Sequence, residues 1–230
     1  MSTLFDLGFE SDLSEFDSTV TDGGDLYWAA AAALAGTAGG VACLIDDQTA
    51  IYGVVTQAAP VSGELRYRFY VDPNSLTIAN GDAFYLLMLR ATAPQVYLHW
   101  HYLLRNVSGV LKLGSKAYDD GDSLSIQTYT LTDEPHYVEV HIERASSDVA
   151  ADGRVRWWVD GVLVSTDADV DNYDTFGSIT DFRLGAVSGI DVTTFGTFYL
   201  DEFRANDDGK RIGPVGLSAR IDHHYRTRRV

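Results

Sequence analysis

The dipeptide Asp160-Gly161 constrains this chain more than any other feature. It stands between Arg154-Val155-Arg156-Trp157-Trp158-Val159 and Val162-Leu163-Val164. Asp-Gly takes the left-handed backbone of a tight two-residue hairpin at little cost, and β-branched and aromatic flanks suit a pleated surface. The same period of two runs through most of the chain. Leu65 to Val71 alternates apolar and polar and stops at Asp72-Pro73-Asn74, a turn signal. Ser123 to Leu131 and Tyr137 to Glu143 alternate as cleanly. Ala83 to Leu89 is a continuous apolar run of the length of a strand buried on both faces. Gln95 to Leu104 is aromatic-rich, and Thr180 to Gly185 and Gly196 to Arg204 close the series. Ile51 to Ala59 reads as strand or loop. Helix signals are few: Ala29 to Ala35 has the propensity, but Gly36, Gly39 and Gly40 follow at once. Many short strands separated by turns predict an all-β, two-sheet antiparallel sandwich.

Composition bounds the rest. With 230 residues, 46% hydrophobic and 12% aromatic, the chain has the material for a sizeable core. One cysteine, Cys43, excludes an intramolecular disulfide framework and a cysteine zinc cluster. A formal charge of -16 excludes a body built to wrap nucleic acid. No stretch has the length of a membrane span, and the first residues lack the basic and apolar regions of a secretory signal. Synthesis in a cytoplasm without export is therefore expected. Charge is unevenly spread: Lys210 to Val230 carries +5 and residues 1 to 209 carry -21. The expected division is a sandwich domain over 1–207 and a basic tail over 208–230, with Gly213-Pro214 and Gly216 as a hinge. Arg220, Arg226, Arg228 and Arg229 are the tail residues expected to drive assembly, since arginine pairs with carboxylates through two parallel hydrogen bonds.

Five stretches occur in an order similar to that of the concanavalin A-like jelly-roll superfamily, including its laminin-G-like and pentraxin-like members. They are Phe9-Glu10-Ser11, Arg68-Phe69-Tyr70-Val71, His136-Tyr137-Val138-Glu139, Trp157-Trp158-Val159-Asp160-Gly161 and Tyr199-Leu200-Asp201-Glu202-Phe203. The resemblance implies a jelly roll over residues 4 to 206 with its first and last strands adjacent. It also implies a structural calcium held by Glu10 and Asp201 with backbone carbonyls, an ion that takes six to eight oxygens. The superfamily hosts lectins, hydrolases and virion proteins, so the fold alone does not choose among them.

Glu139-Val140-His141-Ile142-Glu143 resembles the acidic signature of jelly-roll glucanases, but His141 stands where an acid belongs. A retaining pair needs carboxyls about 5–5.5 Å apart, whereas alternate strand residues lie about 6.6 Å apart. A solvated or cross-strand-paired face is expected there, and no enzymatic activity. His99 and His101 share a strand face and are expected to be hydrogen-bonded rather than metal-bound. The acids Asp46-Asp47, Asp119-Asp120-Asp122 and Asp167-Asp169-Asp171 read as turns. Trp100 and Trp157 are candidate stacking platforms for a glycan, and adjacent Trp157 and Trp158 must point to opposite faces.

Two functions are carried forward. One is a phage virion component, a head decoration, fibre or tail-associated subunit, whose partners are copies of itself, other virion subunits and a host-surface glycan. The other is a carbohydrate-binding module or lectin. A glycoside hydrolase ranks below both.

Overall fold

The computed structural model describes residues 3–57, 61, 63–122 and 124–215. The strands in chain order are β1 (Thr3–Leu7), β2 (Ser18–Val20), β3 (Leu26–Ala29), β4 (Gly40–Ile45) and β5 (Ile51–Thr56). Then come β6 (Glu64–Asp72), β7 (Ala83–Ala91), β8 (Tyr97–Arg105), β9 (Leu111–Tyr118) and β10 (Leu124–Thr130). The last five are β11 (His136–Glu143), β12 (Gly153–Val159), β13 (Val162–Val170), β14 (Ile179–Ser188) and β15 (Gly196–Asn206). A one-turn helix, α1 (Tyr173–Gly177), precedes β14.

The strands form two antiparallel sheets. One runs β13-β12-β11-β6-β15-β4-β3, with β1 also paired to β15. The other runs β10-β9-β8-β7-β14-β5-β2. This is the expected jelly-roll sandwich, with first and last strands adjacent. Asp160 and Gly161 both have positive φ, 51° and 80°, as the hairpin joining β12 to β13 requires. The alanine run gives only a short 3-10 turn, Ala30–Ala32, which ends at Ala33 in extended backbone, ahead of the first glycine, Gly36.

Alternation along the strands sends one set of side chains between the sheets. Phe69, Val138, Val140 and Trp157 from the first sheet meet Phe84, Leu103, Phe182 and Leu184 from the second, all fully or almost fully buried. Trp157 is therefore a core residue with no exposed surface, which corrects its reading as a glycan platform. Its neighbour Trp158 lies on the outer face, under the Arg66 guanidinium at 5.1 Å.

Residues 209–215, assigned to the tail, lie against the outer face of the first sheet. Arg66 Nε donates to Gly209 O, Arg68 Nη1 to Gly213 O, and the Val215 amide to Tyr70 Oη. The Ile212 and Gly213 amides donate to the two oxygens of Glu139, 3.0 Å each. Arg220, Arg226, Arg228 and Arg229 lie outside the described residues.

Candidate functional site

Side chains on the outer face of the second sheet form an apolar cluster separate from the main core. Met88, Trp100 and Val187 are its buried members, and Tyr52, Tyr85, Tyr97 and Tyr118 pack against it. Cross-strand register explains the grouping. Lys116 of β9 pairs with Trp100 of β8, Trp100 with Met88 of β7, and Met88 with Arg183 of β14. One row up, Gly114 pairs with Tyr102 and Tyr102 with Tyr85. A Cβ on Gly114 would come within 2.0 Å of the Tyr102 ring, so glycine is what lets that ring lie across β9.

Trp100 is the floor of this face, only 9% exposed. Tyr85 and Tyr97 stand edge-on to it, with ring centroids 4.3 and 4.5 Å away. Its indole Nε1 is buried and has no hydrogen-bond partner among the described residues. Trp100 thus faces outward as the sequence reading requires, but Tyr85 and Tyr97 supply the walls above it.

Lys116 is the chemical centre of the strip. Its ammonium lies 5.1, 5.5 and 5.2 Å from the ring centroids of Tyr85, Trp100 and Tyr102, a cation–π arrangement that fixes a flexible side chain. It donates to Tyr85 Oη at 3.1 Å. Burial raises the Tyr102 and Tyr118 hydroxyls above the ordinary phenol range, with the nearby Tyr85 adding to both, so they stay protonated donors at neutral pH. Farther along the row, Arg183 donates to Tyr52 Oη at 3.2 Å and to Asp181 at 3.3 Å, and Arg90 reaches the same Asp181 at 3.5 Å.

Depressions of about 240 Å³ and 270 Å³ open on this face. The first is lined by Tyr85, Tyr102, Lys116 and Ile126, the second by Gln95, Tyr97, Trp100 and Tyr118 with Asp122 at its edge. Larger hollows lie elsewhere. One of about 500 Å³ is lined by Asp119, Asp167 and Asp169, and one of about 530 Å³ lies beside the Arg68–Glu202 ion pair. The former would repel an anion, and the ions of the latter already neutralise one another.

The other predicted residues sit apart from this strip. Glu139 is fully buried, paired with Arg66 at 2.8 Å, and Glu143 pairs with Arg154 and Arg156. EVHIE is thus the cross-strand-paired face expected, on the opposite sheet from the aromatic strip. His99 and His101 point inward. His99 Nδ1 shares a hydrogen bond with Tyr67 Oη at 2.6 Å and its Nε2 one with Ser115 Oγ at 2.9 Å, while His101 Nδ1 donates to Gly114 O. Burial holds both imidazoles neutral, His101 down to about 3.

Glu10 and Asp201 come to the same loop from two sides. Asp201 Oδ2 accepts from the Leu34 amide and Thr37 Oγ1, and Oδ1 from the Glu202 amide, while Glu10 accepts from the Ala38 amide. Burial raises the Asp201 carboxyl to about 6 against the pull of those donors. Protein N–H and O–H groups thus occupy three of its acceptor positions, and calcium there rests on the resemblance alone.

The Lys116–Tyr85 pair escaped sequence reasoning because β9 did. Its signal is the alternation Leu111-Lys112-Leu113-Gly114-Ser115-Lys116-Ala117-Tyr118, masked by the glycine in its middle.

No protein-family model matches the chain, and no curated protein does. Solved structures do match. An endo-β-1,4-glucuronan lyase from the fungus Trichoderma reesei superposes with a TM-score of 0.67 at 15% identity, over 93% of this chain and 98% of that one. An alginate lyase bound to alginate tetrasaccharide, carrying alanine in place of a lysine and a tyrosine, gives 0.59 at 11% identity over 88% and 96%. The binding domain of botulinum neurotoxin serotype D gives 0.56 at 9% identity, over 91% of this chain and 49% of that one. At these identities the likeness establishes the jelly-roll sandwich. It lends no support to a virion role. It also corrects the expectation that the chain is not an enzyme, because full-length counterparts of the fold are polysaccharide lyases. That expectation rested on a missing carboxylate pair, which hydrolysis needs and elimination does not.

Proposed function

We propose that the chain is a lyase of acidic polysaccharides, acting on a polyuronate at the aromatic strip of the second sheet. The observation that carries this reading is the Tyr85–Lys116 pair, a phenol and an ammonium 3.1 Å apart beside an aromatic floor. Support comes from the full-length likeness to glucuronan and alginate lyases, the latter holding alginate in a variant that lacks a lysine and a tyrosine.

Elimination at a uronate breaks the C5–H and C4–O4 bonds and forms a C4=C5 double bond. The C5 proton becomes acidic only when the neighbouring carboxylate is neutralised. Lys116 supplies that positive charge from a fixed position, so little reorganisation is needed as charge develops. Tyr85 Oη gives its own proton to the departing O4 as it takes the C5 proton, so it ends as the neutral phenol it began as, and one phenolic oxygen serves both transfers. The protonated Tyr102 completes the donor set.

The test is incubation with glucuronan and with alginate, following the ultraviolet absorbance of the new conjugated double bond. Tyr85→Phe is expected to lower kcat by about 10²-fold or more while retaining binding. Lys116→Ala is expected to lower kcat and weaken binding together. Absence of unsaturated ends from every polyuronate tried overturns the lyase reading, and binding without cleavage leaves a glycan-binding face in its place.

A further inference from the structure

We infer that Arg183, supported by Arg90, is a second carboxylate-binding pole of the aromatic strip, set so that the face reads an acidic chain about three sugars long between the two poles. This deepens the polyuronate reading and rests on it.

Cross-strand register places the two poles. Lys116, Trp100, Met88 and Arg183 occupy one row on four consecutive strands, β9, β8, β7 and β14. Neighbouring strands are about 4.8 Å apart, so three spacings put the two basic residues about 14 Å apart along the row. A 1,4-linked hexuronate advances its chain by roughly one strand spacing per sugar, so a chain crossing the strands meets Lys116 with one carboxylate and Arg183 with another about three sugars on. Between the poles the floor is apolar, Trp100 and Met88, both nearly buried. Sugar rings can lie against such a floor, whose two row residues are both uncharged.

The second pole is positive on balance. Arg90 and Arg183, from adjacent strands, share the one carboxylate of Asp181, at 3.5 and 3.3 Å. Thr180 Oγ1 donates to that carboxylate at 2.8 Å, so its negative charge is well occupied. The two arginine side chains remain 29% and 28% exposed. Tyr52 holds the Arg183 head, donated to at 3.2 Å and stacked at 5.1 Å. On a chain of net charge -16, a positive pole at each end of an apolar floor is charge-complementary to a polyanion. Arginine also matches a carboxylate with two parallel donors.

The experiment titrates the full chain, in the Tyr85→Phe background so that the ligand is not cut, with glucuronan oligosaccharides from disaccharide to pentasaccharide. Neutral cello-oligosaccharides of the same lengths serve as control. Affinity is expected to rise about tenfold from disaccharide to tetrasaccharide, the worth of one added charge-assisted contact. Arg183→Gln is expected to remove that rise and leave disaccharide binding unchanged. Arg90→Gln, which leaves Asp181 its Arg183 partner, is expected to reduce the rise and serves if Arg183→Gln does not fold. A rise that survives in the folded variants overturns the second pole, as does a flat length series in the parent or an equal rise with the neutral sugars. Measurable binding with a flat series sinks only this inference, whereas no binding at any length sinks the polyuronate reading with it.

Discussion

His99 and His101 show how single residues set the acid limit of this fold. Both are fully buried and both are held neutral by desolvation, with His101 down to about 3 against an ordinary value of 6.5. The unfolded chain therefore takes up protons below about 6.5 that the folded chain refuses. More protons bind to the unfolded state as pH falls, so stability drops with falling pH by up to about 1.4 kcal/mol per pH unit for each histidine. Asp201 works in the opposite sense. Its folded value of about 6 lies above the ordinary 3.8, so its contribution grows as pH falls through that window. His101→Gln keeps a donor for the Gly114 carbonyl and does not titrate. Urea unfolding between pH 7 and pH 5 should show the variant gaining on the parent steadily as the solution is acidified, and parallel curves would refute the assignment. The identity of these histidines as hydrogen-bonded residues was legible from their place in an aromatic strand. The direction of the tryptophans was only half legible, because alternation says that Trp157 and Trp158 differ in face but not which of them faces the other sheet.

Among the elements, the strands were legible where alternation is uninterrupted, as in β6, β11 and β12, and illegible where a glycine breaks the pattern, as in β9. Residues 210–215 belong by charge to the basic tail, up to the hinge expected at Gly213-Pro214 and Gly216. What holds them is a buried acid on a distant strand: Glu139 accepts from the Ile212 and Gly213 amides and pairs with Arg66. No local pattern encodes such a contact. Removing one partner of a buried ion pair leaves the other uncompensated, so Glu139→Ala should cost about 3–5 kcal/mol. The 212 and 213 amides should lose hydrogen-exchange protection in the same variant, and a stable variant with protected amides would refute the anchoring role. The loop from Leu34 to Ala38 is clasped in a similar way by Asp201 and Glu10. If calcium adds to that clasp, excess chelator should lower the melting temperature of calcium-loaded protein, since an ion that binds only the folded state stabilises it by mass action. An unchanged melt leaves the hydrogen bonds as the whole of the clasp.

At the scale of the whole molecule, the proposed site is a small positive strip on a strongly acidic body. The charge of -16 is plain in the sequence and argues against a body that wraps nucleic acid, yet it gives no hint that Lys116, Arg183 and Arg90 gather on one face. That gathering depends on the pairing of four strands. It has a kinetic consequence. A polyuronate approaching from a distance meets net repulsion, and only within a few ångströms does the strip attract it. Salt screens the distant charges first, because the Debye length is about 30 Å at 0.01 M and about 10 Å at 0.1 M. Adding salt over that range should therefore speed association, and higher salt should slow it as the contacts at Lys116 and Arg183 are screened in turn. Stopped-flow association with a glucuronan tetrasaccharide, following tryptophan fluorescence, should show a rate that passes through a maximum with ionic strength. A rate that falls steadily from the lowest salt would mean that the strip's field dominates at all distances and that the acidic body plays no part in steering.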